Sequence, residues 1–144
     1  MLGRRWRRES VVDTRHMQIG EVAERTGLSL RTIRYYGEVG LAEPSARSQG
    51  GFRLYTELDV ERLKLIMRMK PLDFSLEEMG DLLAILDRLP EAGGDEREEL
   101  LERLLTYRTA ADDRARKLRK TLEVAEDFRR FMYEQSGRAA AERA

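Results

Sequence analysis

The 144-residue sequence contains no cysteine, which excludes disulfides, thiolate metal sites, iron–sulfur clusters and cysteine nucleophiles. Its single histidine, His16, precedes the region of regular patterning, so histidine catalysis and zinc binding are not predicted. Neither a glycine-rich phosphate loop nor a Gly-x-Ser-x-Gly motif is present. The sequence therefore predicts neither an enzyme nor a metal or cofactor site.

Long apolar runs and aromatic residues are also scarce. No run approaches the ~20 apolar residues that a membrane helix needs, so a membrane partner is not expected. Together with the lack of cysteine, this predicts a cytoplasmic protein. Aromatic residues make up 7% and charged residues 38% of the chain, a balance typical of long, solvated helices around a small core.

The net charge of zero hides a strong segregation of charge along the chain. Residues 1–16 carry +3, residues 17–71 carry +2, residues 72–99 carry −8 and residues 100–144 carry +3. A basic front half beside an acidic middle is expected of a protein whose one end meets a polyanion.

A pair of short helices is predicted to begin at Gln18. Small and apolar side chains recur there at the i, i+3, i+4 and i+7 spacing of a helix: Ile19, Val22, Ala23 and Thr26. Gly27 follows where such a helix should stop, and Ser29 is suited to cap the next one. Two short helices joined by a tight turn with a glycine fit a helix-turn-helix, or any small helical hairpin.

The second helix contains two adjacent tyrosines, Tyr35 and Tyr36, in the stretch LSLRTIRYYGEVGL. At 100° per residue they cannot share a face. Tyr36 falls with the apolar set that also contains Leu30 and Ile33, and is predicted to be core. Tyr35 falls between Arg31 and Arg34 on the outer face. Two arginines and a tyrosine suit phosphate and base-edge contacts in a DNA major groove, although the same face could simply be solvated.

A hairpin is predicted directly after these helices, in LAEPSARSQGGFRLYTELD. Leu41 is expected to enter the core, the Pro, Ser and Gly residues to form a loop and tight turn, and FRLY to form a short strand. A hairpin in this position is a wing. Arg47 and Arg53 flank its tip, while Phe52 and Tyr55 would anchor it or contact the sugar-phosphate backbone.

Two capped helices follow. Thr56 opens TELD and Ser75 opens SLEE, and each resembles a capping box in front of an apolar helical pattern. Glycine and proline then break the pattern between residues 89 and 94. From there to about Glu134 neither residue occurs, which predicts one helix of about 40 residues and ~60 Å.

This long helix carries an apolar seam, interrupted only by Arg108 and Arg129. The seam comprises Leu101, Leu104, Ala111, Ala115, Leu118, Leu122, Ala125 and Met132. It needs a second helix to cover it, and a homodimeric coiled coil with two-fold symmetry supplies one. The alternative is a single solvated helix whose apolar seam remains exposed to water.

The residues from 17 to about 87 resemble the MerR family of bacterial transcription regulators. The resemblance runs through MQIGEVAERTGLSLRTIRYYGEVGL, then GGFRLYTELDVERLKLI, then MKPLDFSLEEMGDLL. It implies a mainly α fold, in which a winged helix-turn-helix domain with a two-stranded wing precedes a long dimerisation helix in an antiparallel coiled coil. It also implies a homodimer that binds inverted repeats in promoter DNA and distorts the spacer. This distortion realigns the promoter elements for RNA polymerase, so that transcription is activated or repressed.

Position by position, the resemblance assigns DNA contacts to the recognition helix and the wing. The residues concerned are Arg31, Thr32, Arg34, Tyr35, Arg47, Arg53 and Tyr55. Metal- and redox-sensing relatives place cysteines around the long helix, and this chain has none. What remains is a small-molecule effector bound between the helices, or no ligand. The residues that could line such a pocket, or pack in the dimer instead, are Leu89, Leu100, Leu105, Tyr107, Phe128, Phe131 and Tyr133.

The predicted organisation has five parts. Residues 1–16 form a disordered basic arm and residues 17–88 the DNA-binding domain. Residues 89–94 form a linker, residues 95–135 the coiled-coil helix and residues 136–144 a flexible tail. A transcription regulator is the favoured function. The alternative is a helical interaction module that acts through its coiled coil, for which DNA binding would show no steep salt dependence.

Overall fold

The structure, a computed structural model, describes residues 15–143. The helices are α1 (Ile19–Thr26), α2 (Leu30–Glu38), α3 (Glu57–Met69), α4 (Leu76–Arg88) and α5 (Gly94–Glu142), and the strands are β1 (Met17–Gln18), β2 (Ala46–Arg47) and β3 (Arg53–Tyr55). Short 3-10 turns at Lys70–Leu72 and Leu89–Glu91 follow α3 and α4. The chain divides into two compact units, of which the first ends at Leu105 and the second begins at Thr106. The predicted mainly α winged helix-turn-helix fold is confirmed.

The helix-turn-helix forms where the local signals place it. Gly27 ends α1 in the left-handed conformation, with φ of 78°, and its N–H donates to the carbonyl of Ala23. A side chain at this φ would be strained, which is why glycine suits the position. Ser29 then caps α2, and its Oγ accepts the N–H of Thr32 at 3.1 Å.

The wing is one edge of a three-stranded antiparallel sheet in the order β1–β3–β2. Tyr55 pairs with Met17 on one side of β3, and Leu54 pairs with Ala46 on the other. Strands β2 and β3 are the predicted hairpin. Strand β1 is not predicted, because two residues are too few to show the alternation of a strand.

The core of the first unit lies between the helix-turn-helix, β3, α3 and α4. Its fully buried large side chains are Val22, Ile33, Tyr55, Val60, Leu63, Ile66, Leu83 and Ile85. Leu41 and Tyr36 are buried as predicted. Both predicted capping boxes form, between Thr56 and Asp59 at the start of α3 and between Ser75 and Glu78 at the start of α4.

The long helix exceeds its predicted bounds. It begins at Gly94, passes through Gly137 and ends at Glu142, so helical structure continues past the predicted end at residue 135 into the segment predicted as a flexible tail. Glycine inside a helix costs only ~1 kcal/mol, and the good helix formers on both sides of Gly137 tolerate it. The predicted linker is in part the 3-10 turn at Leu89–Glu91. Of the predicted N-terminal arm, residues 1–14 lie outside the described residues.

No helix in the described range 15–143 is long and apolar enough to span a membrane.

An ion pair joins the helix-turn-helix to α3. Arg25, near the end of α1, and Glu57, the first residue of α3, form two parallel hydrogen bonds, of which Nη2 to Oε2 is 2.7 Å. Hydrogen bonding to Arg25 holds the pKa of the Glu57 carboxyl below its ordinary value of 4.5.

Glu57→Gln is expected to lower the free energy of unfolding by ~0.2–1 kcal/mol near pH 7, a small amount because both side chains are partly exposed to solvent. A carboxyl whose pKa is lowered by folding stabilises the fold above its unfolded pKa, and this contribution is lost as the pH falls through the folded pKa. The difference between wild type and variant should therefore shrink below about pH 4. Urea unfolding of both proteins at equal concentration measures it, and a pH-independent difference would contradict the assignment.

Candidate nucleic-acid interface

Helix α2 presents two distinct faces. Ile33 and Tyr36 are buried, and Tyr36 is only 4% exposed, whereas the neighbouring Tyr35 is 45% exposed. The two rings lie 5.8 Å apart between centroids and tilted by 51°, so they remain in aromatic contact although only one of them is buried. Leu30, predicted on the apolar face, is 40% exposed because it lies in the first turn of the helix. Tyr35 is thus free to meet a partner, while Tyr36 is not.

Arginines dominate the exposed face. The side chains of Arg31 and Arg34 on α2, and of the half-buried Arg53 on β3, form no hydrogen bond or ion pair within residues 15–143. Arg47 donates from Nη1 to the carbonyl of Gly51 at 3.0 Å across the wing turn, so its position is fixed by the hairpin. Thr32 is half-buried, and its Oγ1 accepts from Ser29 Oγ at 2.9 Å. Unpaired guanidinium groups on an exposed face are suited to anions supplied by a partner.

Arg34 and Arg53 converge on one notch, a cavity of about 130 Å³. Its remaining lining comes from Gln18 and Ile19 at the start of α1 and from the wing tip at Gly51 and Phe52. Gln18 provides no side-chain cap for α1. The first N–H groups of that helix therefore keep the partial positive charge of a helix N-terminus. Two guanidinium groups and an uncapped helix start make the notch an anion-binding arrangement.

This notch is not apparent from the sequence. Gln18 and Ile19 carry no charge, and they enter the site only because β1 pairs with β3 and holds the start of α1 beside the wing. Sequence patterning places Arg34 on the outer face of α2, where it is exposed, and Arg53 beside the wing tip, where it is half-buried. The pairing of these two residues, 19 positions apart, depends on the tertiary fold.

Tyr55 is not part of this exposed face. It is 0% exposed, and its hydroxyl is buried with no hydrogen-bond partner within the described residues. Burial raises the pKa of the Tyr55 phenol above its ordinary value of 10.0. The prediction that Tyr55 contacts DNA is therefore wrong. Tyr55 lies at the end of β3 that pairs with Met17 and is packed into the core, whereas Arg53, two residues nearer the wing tip, stays partly exposed. Phe52 is 66% exposed at the wing tip and does not anchor the wing in the core.

The seam of the long helix extends through both units. In the first unit Leu101 is exposed and Leu104 half-buried. In the second unit Ala111 and Ala115 are half-buried, and the remaining seam residues are exposed: Leu118, Leu122, Ala125 and Met132. Leu122, 57% exposed, belongs with the exposed Leu118 and Met132 to one row of apolar side chains, and a contiguous apolar surface of this kind marks an interaction site.

The residues considered for an effector pocket differ in their burial. Leu100 is buried in the first unit, whereas Leu105 is exposed there. Phe128, Phe131 and Tyr133 are exposed in the second unit, where the Phe128 and Phe131 rings lie 6.5 Å apart between centroids. Within residues 15–143, no group of three acidic or histidine side chains is placed to hold a metal ion.

Sequence comparison identifies the family. The profile of the MerR HTH family regulatory proteins matches residues 17–85, and a second profile, MerR, DNA binding, matches residues 60–125. The HTH-type transcriptional regulator HmrR of Rhizobium leguminosarum bv. viciae is 40% identical over 110 residues, which cover 74% of this chain and 81% of HmrR. The chain belongs to the MerR family of transcriptional regulators. It spans 48–64% of the length of several other curated MerR-family relatives.

Solved MerR structures share the fold. A MerR family regulator from Listeria monocytogenes has a TM-score of 0.58 at 27% identity, covering 76% of this chain and 80% of that one. HiNmlR, a MerR family regulator lacking the sensor domain and solved bound to promoter DNA, has a TM-score of 0.61 at 24% identity. That alignment covers 78% of this chain and 86% of HiNmlR, and at this identity it supports the fold alone.

Tyr55→Phe tests the buried position of Tyr55. Because the hydroxyl has no partner, its removal is expected to leave the free energy of unfolding unchanged or to raise it by about 1 kcal/mol. Affinity for a duplex that the wild-type protein selects should not change. Thermal unfolding and a fluorescence-anisotropy titration give the two quantities. Weaker DNA binding by a fully folded Tyr55→Phe protein would show that the Tyr55 hydroxyl contributes to DNA binding, contrary to its assignment to the core.

Proposed function

We propose that this MerR-family regulator binds inverted repeats in promoter DNA as a homodimer, through α2 and the wing. The observation that carries the proposal is the convergence of Arg34, Arg53 and the uncapped start of α1 on one notch beside an exposed recognition helix. These are the groups that bind a phosphate oxygen. HmrR, the relative described above, is itself named a transcriptional regulator.

The interface divides into positioning and reading contacts. We assign Arg34 and Arg53 to a backbone phosphate, because they share the notch at the edge of α2. Arg31 and Tyr35 stand on the outer face of α2, where a major groove would receive them, with Thr32 beside them. Arg47 and the exposed Phe52 belong to the wing tip and would meet the flanking backbone.

The homodimer rests on the seam. We infer that two copies of α5 pack antiparallel along the seam residues, with the two-fold axis making the contact self-complementary. A two-fold dimer presents two recognition helices in opposite orientation, which matches the symmetry of an inverted repeat.

Regulation would follow from deformation of the promoter between the half-sites. Bending or untwisting a short duplex costs ~1–6 kcal/mol, which the contacts of both half-sites must offset. Realigned promoter elements would then be presented to RNA polymerase, for activation or repression, in the bacterial cytoplasm. No catalytic step is part of this function. The effector, if one binds, would be a small molecule held without thiolate or imidazole ligands.

Arg34→Ala is expected to weaken binding to a selected operator duplex by about 1.5–3 kcal/mol, the range for hydrogen bonds to charged groups. A phosphate contact also predicts that the slope of log affinity against log salt falls by about 1. Arg119→Ala, which removes an equal charge from an exposed position of α5 outside the seam, is the matched control and should change neither quantity. An unchanged footprint and salt slope for Arg34→Ala would remove Arg34 from the interface. A wild-type protein without steep salt dependence would favour the interaction module instead.

Leu122→Glu is expected to prevent dimerisation, because it places a charge in the seam. Val124→Glu makes the same change in charge at a position 66% exposed, about 200° around the helix from Leu122, and should remain dimeric. Sedimentation velocity over a range of concentrations distinguishes dimer from monomer. Equal behaviour of the two variants would show that the seam is not the dimer contact.

A further inference from the structure

Arg62 of α3 is bonded on two sides within the first unit. Its Nε donates to the carbonyl of Leu41 at 3.1 Å. Its Nη1 and Nη2 donate to Asp87 Oδ1 at 2.9 Å and Oδ2 at 2.7 Å. Leu41 lies just after α2, and Asp87 lies in the last turn of α4. One planar guanidinium group therefore joins the exit of the recognition helix to the end of α4.

The Leu41 side of this link is rigidly attached to α2. The N–H groups of Leu41 and Ala42 both donate to the carbonyl of Tyr36, at 2.9 and 3.0 Å. The Leu41 side chain is buried against α4, where a β-carbon at Gly80 would stand 3.4 Å from its Cδ2. A displacement of the Leu41 carbonyl would therefore also displace the last turn of α2.

The Asp87 side leads to the first turns of α5. The next residue, Arg88, donates from Nη2 and Nε to Glu96 at 2.7 and 3.1 Å. Arg97 donates from Nη1 to the carbonyl of Leu89 at 3.0 Å. Charge-assisted hydrogen bonds thus follow one another from the exit of α2, through α3 and α4, to the beginning of the helix that carries the seam.

We propose that Arg62 is a positioning residue that fixes the orientation of α2 relative to the first turns of α5, and thereby determines which half-site spacing the dimer accepts. This inference rests on the proposed homodimer on inverted repeats. One base pair more or less between the half-sites rotates one of them by about 35° and moves it by about 3.4 Å. Discrimination between spacings therefore depends on how firmly each recognition helix is held to the dimer helix.

The chemistry of the link suggests the variants. Arg62→Lys keeps the charge but loses the planar fork, so that one ammonium group cannot hold Leu41 and Asp87 in the same geometry. Asp87→Asn keeps the shape of the acceptor and removes its charge. Arg25→Lys is the matched control, because Arg25 forms an equivalent fork with Glu57 that joins α1 to α3 and lies outside the path from α2 to α5.

The test uses the full chain and three duplexes: an operator selected by the wild-type protein from a random-sequence library, and the same operator with one base pair inserted or deleted in the spacer. The measured quantity is the ratio of affinities between the native and altered spacings. We expect Arg62→Lys to reduce this ratio by about three- to tenfold, and Asp87→Asn to reduce it as well. The double variant should have nearly the same ratio as Arg62→Lys alone, because both changes break the same link. Arg25→Lys should keep the wild-type ratio.

A merely structural role for Arg62 predicts a different result. Thermal unfolding would shift and affinity for all three duplexes would fall together, leaving the ratio at its wild-type value in Arg62→Lys and Asp87→Asn. That outcome would overturn the inference while leaving the proposed function intact. A wild-type protein that binds all three spacings equally would overturn the proposed reading of an inverted repeat, and this inference with it.

Discussion

Burial of Ile33 and Tyr36 fixes the rotation of α2 about its own axis, and the rest of the interface depends on that rotation. Burying two side chains of this size stabilises the fold by about 1.5–3 kcal/mol each. The repulsion between exposed, screened guanidinium groups is much weaker, so packing decides the rotation. Once Tyr36 is inside, Tyr35 and the arginines beside it must face solvent. The cationic face is thus a consequence of core packing.

Helix α3 forms hydrogen bonds to α1, to the wing and to the segment after α2. Glu57 bonds to Arg25 of α1, Asp59 accepts from Ser45 Oγ at 2.5 Å at the entrance to the wing, and Arg62 bonds to the segment after α2. The hydrophobic effect that drives the packing beneath this surface is not directional. Hydrogen bonds to charged groups have a defined geometry, so they are suited to holding α2 at one orientation relative to α3.

The sequence allows the prediction of features that depend on neighbouring residues only. Ser29, Thr56 and Ser75 cap helices because their side chains reach backbone N–H groups three residues away, and Gly27 ends a helix through its own φ. Other features require distant residues. The burial of Tyr55 depends on its pairing with Met17, and the notch depends on the same pairing. A strand so short leaves no periodicity, so neither feature could be predicted from the pattern.

The exposed seam makes DNA binding by the proposed dimer depend on the concentration of the protein. A protomer on its own leaves leucines such as Leu118 and Leu122 in water, so association is favoured by the apolar area that it covers. In the proposed dimeric regulator, mass action makes the amount of DNA-competent protein rise with the square of the protomer concentration while protomers predominate. Promoter occupancy would then respond more steeply to synthesis and degradation of the chain than it would for a regulator that binds as a monomer.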